Sequence, residues 1–163
     1  VNTPEILPGN IAIRLFTPDD FQAVCKLEQG EKGSPYSASV FVRQASVLFG
    51  PMFYVGACGD NVVGFSIGAL SHAFPEEGWI LRLKVSEDYQ RRSIGTALIS
   101  ALISAFVRAN VRRVLLTVAP GNKPARALYH AMGFRETAYA TGYFGEGEDR
   151  LVLSATLDRK NCG

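Results

Sequence analysis

Apolar and polar positions change period several times along the chain, and each change marks an element. Ile11-Ala12-Ile13-Arg14-Leu15-Phe16 alternates loosely and predicts a first strand. Thr17-Pro18-Asp19-Asp20 follows as a helix entry, with a capping residue, a proline at the first helical position and acids in the first turn. That helix runs to about Gln29, with Phe21, Val24, Cys25 and Leu27 on its apolar face. Gly30 to Pro35 reads as a loop, and Ser37 to Phe49 as a second helix lined by Val40, Phe41, Val47 and Leu48. Met52 to Cys58 and Val62 to Leu70 are β-rich runs joined by Gly59-Asp60-Asn61, which is hairpin chemistry.

The central stretch runs from Trp79 to Phe134. Trp79 to Val85 is apolar at every other position and predicts a strand, the polar turn Gln90-Arg91-Arg92-Ser93-Ile94-Gly95-Thr96 follows, and the apolar run Ile94 to Val107 predicts a helix. Arg113 to Val118 reads as a buried strand. Asn122 then caps a further helix, Pro124 is tolerated in its first turn, and Gly133 suits its stop. Phe134 to Ala140 and Arg150 to Leu157 complete the strands, joined by a Gly-rich acidic segment from Thr141 to Asp149. The turn at Gln90 feeds a helix N-terminus, where unpaired N–H groups and two arginines favour an anion such as a phosphate. A plain solvated basic turn is the alternative at this stage.

A length of 163 residues with 47% apolar content predicts one globular domain spanning 1–163, with its core at about 11–157. The formal net charge of +2 and the lack of a basic tail argue against nucleic acid as partner. Cys25, Cys58 and Cys162 are far apart, with no paired motif and no histidine at ligand spacing, so neither a disulfide framework nor a metal site is expected and a reducing cytoplasm suits them. Val1 to Asn10 shows no basic residue and no apolar run of signal length. The Ile94 to Val107 run is broken by Thr96, Ser100 and Ser104 and falls short of the ~20 residues of a membrane span. No membrane association is expected.

Gln90 and Gly95 in the turn, then Asn122, Ala125, Leu128, Tyr129, Gly133 and Phe134, follow the two halves of a known signature, Q/R-x-x-G-x-G/A and N-x-x-A-x-x-L-Y-x-x-x-G-F. On these residues the chain resembles the GNAT superfamily of acyl-CoA-dependent N-acetyltransferases. The resemblance covers roughly residues 11 to 157. It implies a mixed α/β (α+β) fold in the order β-αα-ββ-β-α-β-α-ββ, with a mostly antiparallel sheet of six to seven strands and about four helices. It also implies acetyl-CoA as acyl donor, no metal, and a monomer or homodimer. By the same resemblance the turn Gln90, Arg91, Arg92, Ser93, Ile94, Gly95 and Thr96 would hold the pyrophosphate. Leu83, Lys84 and Val85 would offer backbone groups to the pantetheine arm, Asn122 would touch CoA, and Tyr129 would be the general acid at the CoA sulfur. Ser93 stands where the family usually has its first glycine.

The acceptor is less clearly marked. Glu28-Gln29 with Pro35-Tyr36-Ser37 and Phe41, and Tyr143-Phe144 with Glu148-Asp149, resemble segments of ribosomal-protein N-terminal acetyltransferases. A protein or peptide N-terminal amine is therefore the expected acceptor, with a small-molecule amine, or an inactive CoA-binding module, as alternatives. The two strand positions where relatives carry a base glutamate hold Trp79 and Thr117 here. Deprotonation through water is expected instead, directed by Glu28, Glu31, Glu76 or Glu77. Gly64-Phe65-Ser66-Ile67-Gly68 satisfies the G-x-S-x-G pattern of serine hydrolases, with His130 downstream. The motif lies inside a strand-like run rather than at a strand-to-helix turn, which favours a structural role.

Overall fold

Residues 4–31 and 33–157 are described in this computed structural model. Eight strands are hydrogen-bonded in the order β1-β2-β3-β4-β5-β6-β8-β7, with four α-helices between them. They are β1 (Glu5–Leu7), β2 (Ile11–Leu15), β3 (Phe53–Cys58), β4 (Asn61–Leu70), β5 (Glu77–Val85), β6 (Arg113–Val118), β7 (Arg135–Ala140) and β8 (Arg150–Thr156). The helices are α1 (Phe21–Gln29), α2 (Pro35–Leu48), α3 (Ile94–Arg108) and α4 (Lys123–Ala131). β5 and β6 run parallel, whereas β1–β2, β2–β3, β3–β4, β6–β8 and β7–β8 are antiparallel. The sheet is thus the mixed, mostly antiparallel one expected, with the short β1 as an added edge strand. No helix among the described residues is long and apolar enough to cross a membrane.

Contacts divide the chain into two compact units, Val1–Gly68 with Arg82–Ala105, and Ala69–Leu81 with Phe106–Gly163. In the first, α1 and α2 cover one face of the strands. Val24, Cys25, Val42 and Ala45 pack there against Phe53, Val55, Phe65 and Ile67. Residues alternate across a strand, so Ser66 points to the other face. There its buried hydroxyl donates to the Leu98 carbonyl of α3 at 3.3 Å. A Cβ at Gly56 would lie 3.2 Å from Ile94, and one at Gly64 would lie 2.9 Å from the Lys84 carbonyl oxygen. Both glycines therefore mark close approach: Gly56 to the start of α3, Gly64 to the backbone of β5.

The entry to α1 differs from the sequence reading. The acids after Thr17 are not simply dipole partners, because Asp20 is buried and folds back. It accepts from both Arg14 terminal nitrogens (2.7 and 2.9 Å) and from the Thr17 N–H at 2.8 Å. Burial alone would raise its pKa, but Arg14 and Thr17 outweigh that and hold it below the usual carboxylate range. α2 begins two residues earlier than expected. Ser34 caps it by accepting the Ser37 N–H at 3.3 Å, which makes Pro35 a first-turn proline.

In the second unit, β8 lies between β6 and β7, and Gly78 of β5 leaves room for the Phe106 ring, 2.5 Å from where a Cβ would stand. α4 ends as Gly133 turns to φ +91°, and the Phe134 N–H closes back onto the Tyr129 carbonyl at 3.0 Å.

Candidate active site

The turn that leaves β5 is built to expose amides. The Ser86 N–H donates to the Val63 carbonyl at 2.8 Å, a 3-10 turn covers Glu87–Tyr89, and α3 begins at Ile94. Between them Arg91 and Ser93 take φ +59° and +61°, the left-handed region that L side chains avoid, with Arg92 not so between them. Alternation of hand turns successive N–H groups towards one side, the geometry of an anion-binding nest. The first α3 bond runs from the Ala97 N–H to the Ser93 carbonyl at 3.0 Å. The amides of Ile94, Gly95 and Thr96 thus precede the helical ladder, as in any helix N-terminus. Left-handed backbone at Ser93 gives a physical reason for the usual glycine at this position.

Side chains contribute unequally to this turn. Ile94 is buried, so only its backbone is left for a ligand, while Arg91, Ser93 and Thr96 are exposed and Gly95 is half-buried. Gln90 is exposed, and its amide bridges back to the Val85 carbonyl at 3.4 Å. The Arg92 guanidinium lies over the Tyr89 ring at 5.0 Å.

Leu83, Lys84, Val85 and Gln90 come together along one cleft of about 850 Å³, whose other side includes Leu27 and Glu31 from the end of α1 and the loop after it. Pairing of β5 with β6 ends at Ile80 with Leu116, although both strands run on. Lys84 turns its side chain to α1: Nζ donates to the carbonyls of Leu27 (3.4 Å) and Glu28 and lies 3.4 Å from Glu28 Oε2. Arg82, on the same face of β5, donates from Nε to Glu28 Oε1 at 3.0 Å and stacks on Phe41 at 4.9 Å.

In the second unit Tyr129 is buried on α4, edge-on to Phe134 with ring centres 5.9 Å apart. Burial alone pushes its phenol up to about 12. It therefore carries its proton throughout the neutral range. Asn122 is exposed, and its side-chain oxygen accepts the Ala125 N–H at 3.2 Å, so its first duty is to cap α4.

The sequence model of the Acetyltransferase (GNAT) family matches residues 21–134, the greater part of the chain. This chain is a GNAT acetyltransferase. It is similar to an N-alpha-acetyltransferase of Saccharolobus solfataricus, 26% identical over 91% of this chain and 94% of that one. It is also similar to a [ribosomal protein bS18]-alanine N-acetyltransferase of Escherichia coli, 30% identical over 83% and 90%. The crystal structure of Ard1 from Thermoplasma volcanium superposes with a TM-score of 0.82 at 26% identity, covering 91% of this chain and 98% of that one.

The four carboxylates weighed as proton acceptors in this GNAT enzyme have different surroundings. Glu76 and Glu77 are each paired with an arginine, Arg112 and Arg113, at 3.2 Å. Glu31 is exposed at the cleft. Glu28 stands apart: its side chain is only 9% exposed, and Oε2 is buried yet accepts no hydrogen bond. Trp79 is paired with Leu115 and Thr117 with Val152, both within the sheet.

Sequence reasoning did not find the Lys84 and Arg82 contacts. Two cations two positions apart on one strand face were a signal that some carboxylate faces them. It also missed how the 141–149 segment is ordered. Asp149 accepts from the Tyr139 hydroxyl (2.6 Å) and the Gly142 N–H (2.8 Å), while Tyr143 and Phe144 stay exposed as an edge-to-face pair at 4.8 Å. The hydrolase motif is structural here. Ser66 is a mid-strand core hydroxyl, and His130 lies 3.4 Å from Glu136.

Proposed function

We propose that this GNAT enzyme transfers the acetyl group of acetyl-CoA to the α-amine of a protein or peptide N-terminus by direct attack. The observation that carries the reading is the turn at 91–96, where two left-handed residues open onto the free amides of α3. It suits a pyrophosphate, which needs several N–H donors converging on one volume. The Leu83 to Val85 segment, beyond the last β5–β6 pair, supports the pantetheine arm as a neighbouring strand would.

The neutral amine attacks the thioester carbon, and collapse of the tetrahedral intermediate breaks the C–S bond and releases a thiolate. The proton lost by nitrogen passes to water. Tyr129 serves the departing sulfur. With its pKa raised to about 12 against ~8.5 for a thiol, full transfer from the phenol is uphill, so its main contribution is a hydrogen bond to the developing thiolate. Trp79 and Thr117 supply no base. That favours an acceptor with an unperturbed pKa near ~8, as an α-amine has, over a lysine near ~10.4. The names of the Saccharolobus and E. coli relatives support the same class.

Titration calorimetry with acetyl-CoA, followed by thiol release over a panel of amines and peptides, tests the reading. Binding with turnover on α-amines is expected. Turnover on small-molecule amines alone, binding without turnover, or no binding would each overturn it.

A further inference from the structure

Past Ile80, β5 has left β6, and the edge that faced β6 is the one a pantetheine arm would use. A segment hydrogen-bonded along one edge has fewer restraints than a central strand, so its side chains decide how firmly it is held. Residues alternate across a strand, and the two faces of this segment are gripped differently. Val85 packs towards α3: a Cβ on Gly64 would stand 3.3 Å from both Val85 and Leu98. Arg82 and Lys84 reach α1 instead. There Arg82 Nε donates to Glu28 Oε1 at 3.0 Å, while Lys84 Nζ lies 3.4 Å from Glu28 Oε2 and donates to the Leu27 and Glu28 carbonyls. One carboxylate in the last turn of α1, which ends at Gln29, thus meets two cations two positions apart on β5.

The Glu28 side chain is 9% exposed, against 41% for Arg82 and 36% for Lys84. A carboxylate so buried and so paired acts on its partners rather than on a ligand. Without it, two like charges would share one strand face about 7 Å apart, and their long side chains would turn to water and loosen the backbone between them. Lys84 would keep its two carbonyls, so the loss would be partial. We propose that Glu28 is a positioning residue for the acyl donor: through Arg82 and Lys84 it fixes the backbone of Leu83 to Val85, against which the pantetheine arm lies. The proposal rests on the acetyl-CoA reading above.

The test compares two ligands on the full chain by calorimetry: CoA, and the phosphorylated ADP half of CoA, which keeps the pyrophosphate but lacks the pantetheine arm. Glu28→Ala is expected to weaken CoA binding about tenfold, within the range for coupled neighbours, and to leave the ADP half within about twofold of wild type. A merely structural role would move both ligands together. Adding Arg82→Met to Glu28→Ala should cost little more, because the tether is already broken. Equal losses on the two ligands, unchanged CoA binding, or additive losses in the double variant would overturn the proposal. Glu28→Gln guards against a folding defect in the Ala variant. It keeps an oxygen for Arg82 but gives up the charge that faces Lys84, so the same split is expected at about threefold, and wild-type CoA affinity would contradict the proposal. Wild-type protein that binds no CoA would instead fail the functional reading itself, and this inference with it.

Discussion

At the residue scale the two most informative positions are Tyr129 and Ser93. The buried phenol donates a hydrogen bond to a charged sulfur in the proposed mechanism, and such bonds contribute about 1.5–3 kcal/mol. Tyr129→Phe should then lower kcat by roughly ten- to hundredfold while leaving acetyl-CoA affinity nearly unchanged; single-turnover chemistry at the wild-type rate would remove the phenol from the mechanism. Ser93 tells how much of a motif can be read without coordinates. A departure from the usual glycine was visible in the sequence, but the backbone reason, φ +61° at the mouth of α3, was not. Ser93→Gly relieves a left-handed side chain worth about 1–2 kcal/mol, partly offset by the greater entropy of an unfolded glycine. Thermal stability should hold or rise by up to about 1 kcal/mol, with acetyl-CoA binding intact or tighter. Marked loss of binding would make the serine hydroxyl a ligand contact.

At the scale of elements, the strands and helices with strong periodicity were legible. β3, β4, β6 and β8 and the C-terminal end of α1 follow from apolar alternation, turn chemistry and caps, whereas Pro18–Asp20 forms a 3-10 turn ahead of α1. The short β1 was not, because three exposed or half-buried residues carry no pattern. Long-range side-chain pairs were equally hidden: Lys84 and Glu28 are 56 positions apart, and nothing local records their meeting. G-x-S-x-G shows why a motif needs its element. Its first glycine, Gly64, answers to backbone crowding, with a Cβ 2.9 Å from the Lys84 carbonyl. Gly64→Ala should therefore force β4 and β5 apart and cost about 1–3 kcal/mol, measured by chemical denaturation; a neutral result would mean that the strands have slack.

For the whole molecule, one buried carboxylate gives a pH signature of stability. The pKa of Asp20 is lowered on folding by Arg14 and Thr17, against the opposing effect of its burial. A lowered folded pKa gives stability that is full above the unfolded value of ~3.9 and is lost as pH falls through the folded one. Asp20→Asn should lower Tm at neutral pH by the equivalent of about 2 kcal/mol, towards the low side because Arg14 is partly exposed. Its Tm should converge on that of wild type as the pH drops below ~4; parallel curves would exclude Asp20 as the titrating group. The reaction has its own pH logic, since Trp79 and Thr117 supply no base and an α-amine near ~8 is favoured over a lysine near ~10.4. The most direct measurement is tandem mass spectrometry of one peptide that bears both a free N-terminus and an internal lysine, incubated with enzyme and acetyl-CoA at pH 7. The account predicts acetyl on the α-amine with the lysine unmodified. Acetyl on the lysine with the N-terminus free would contradict it.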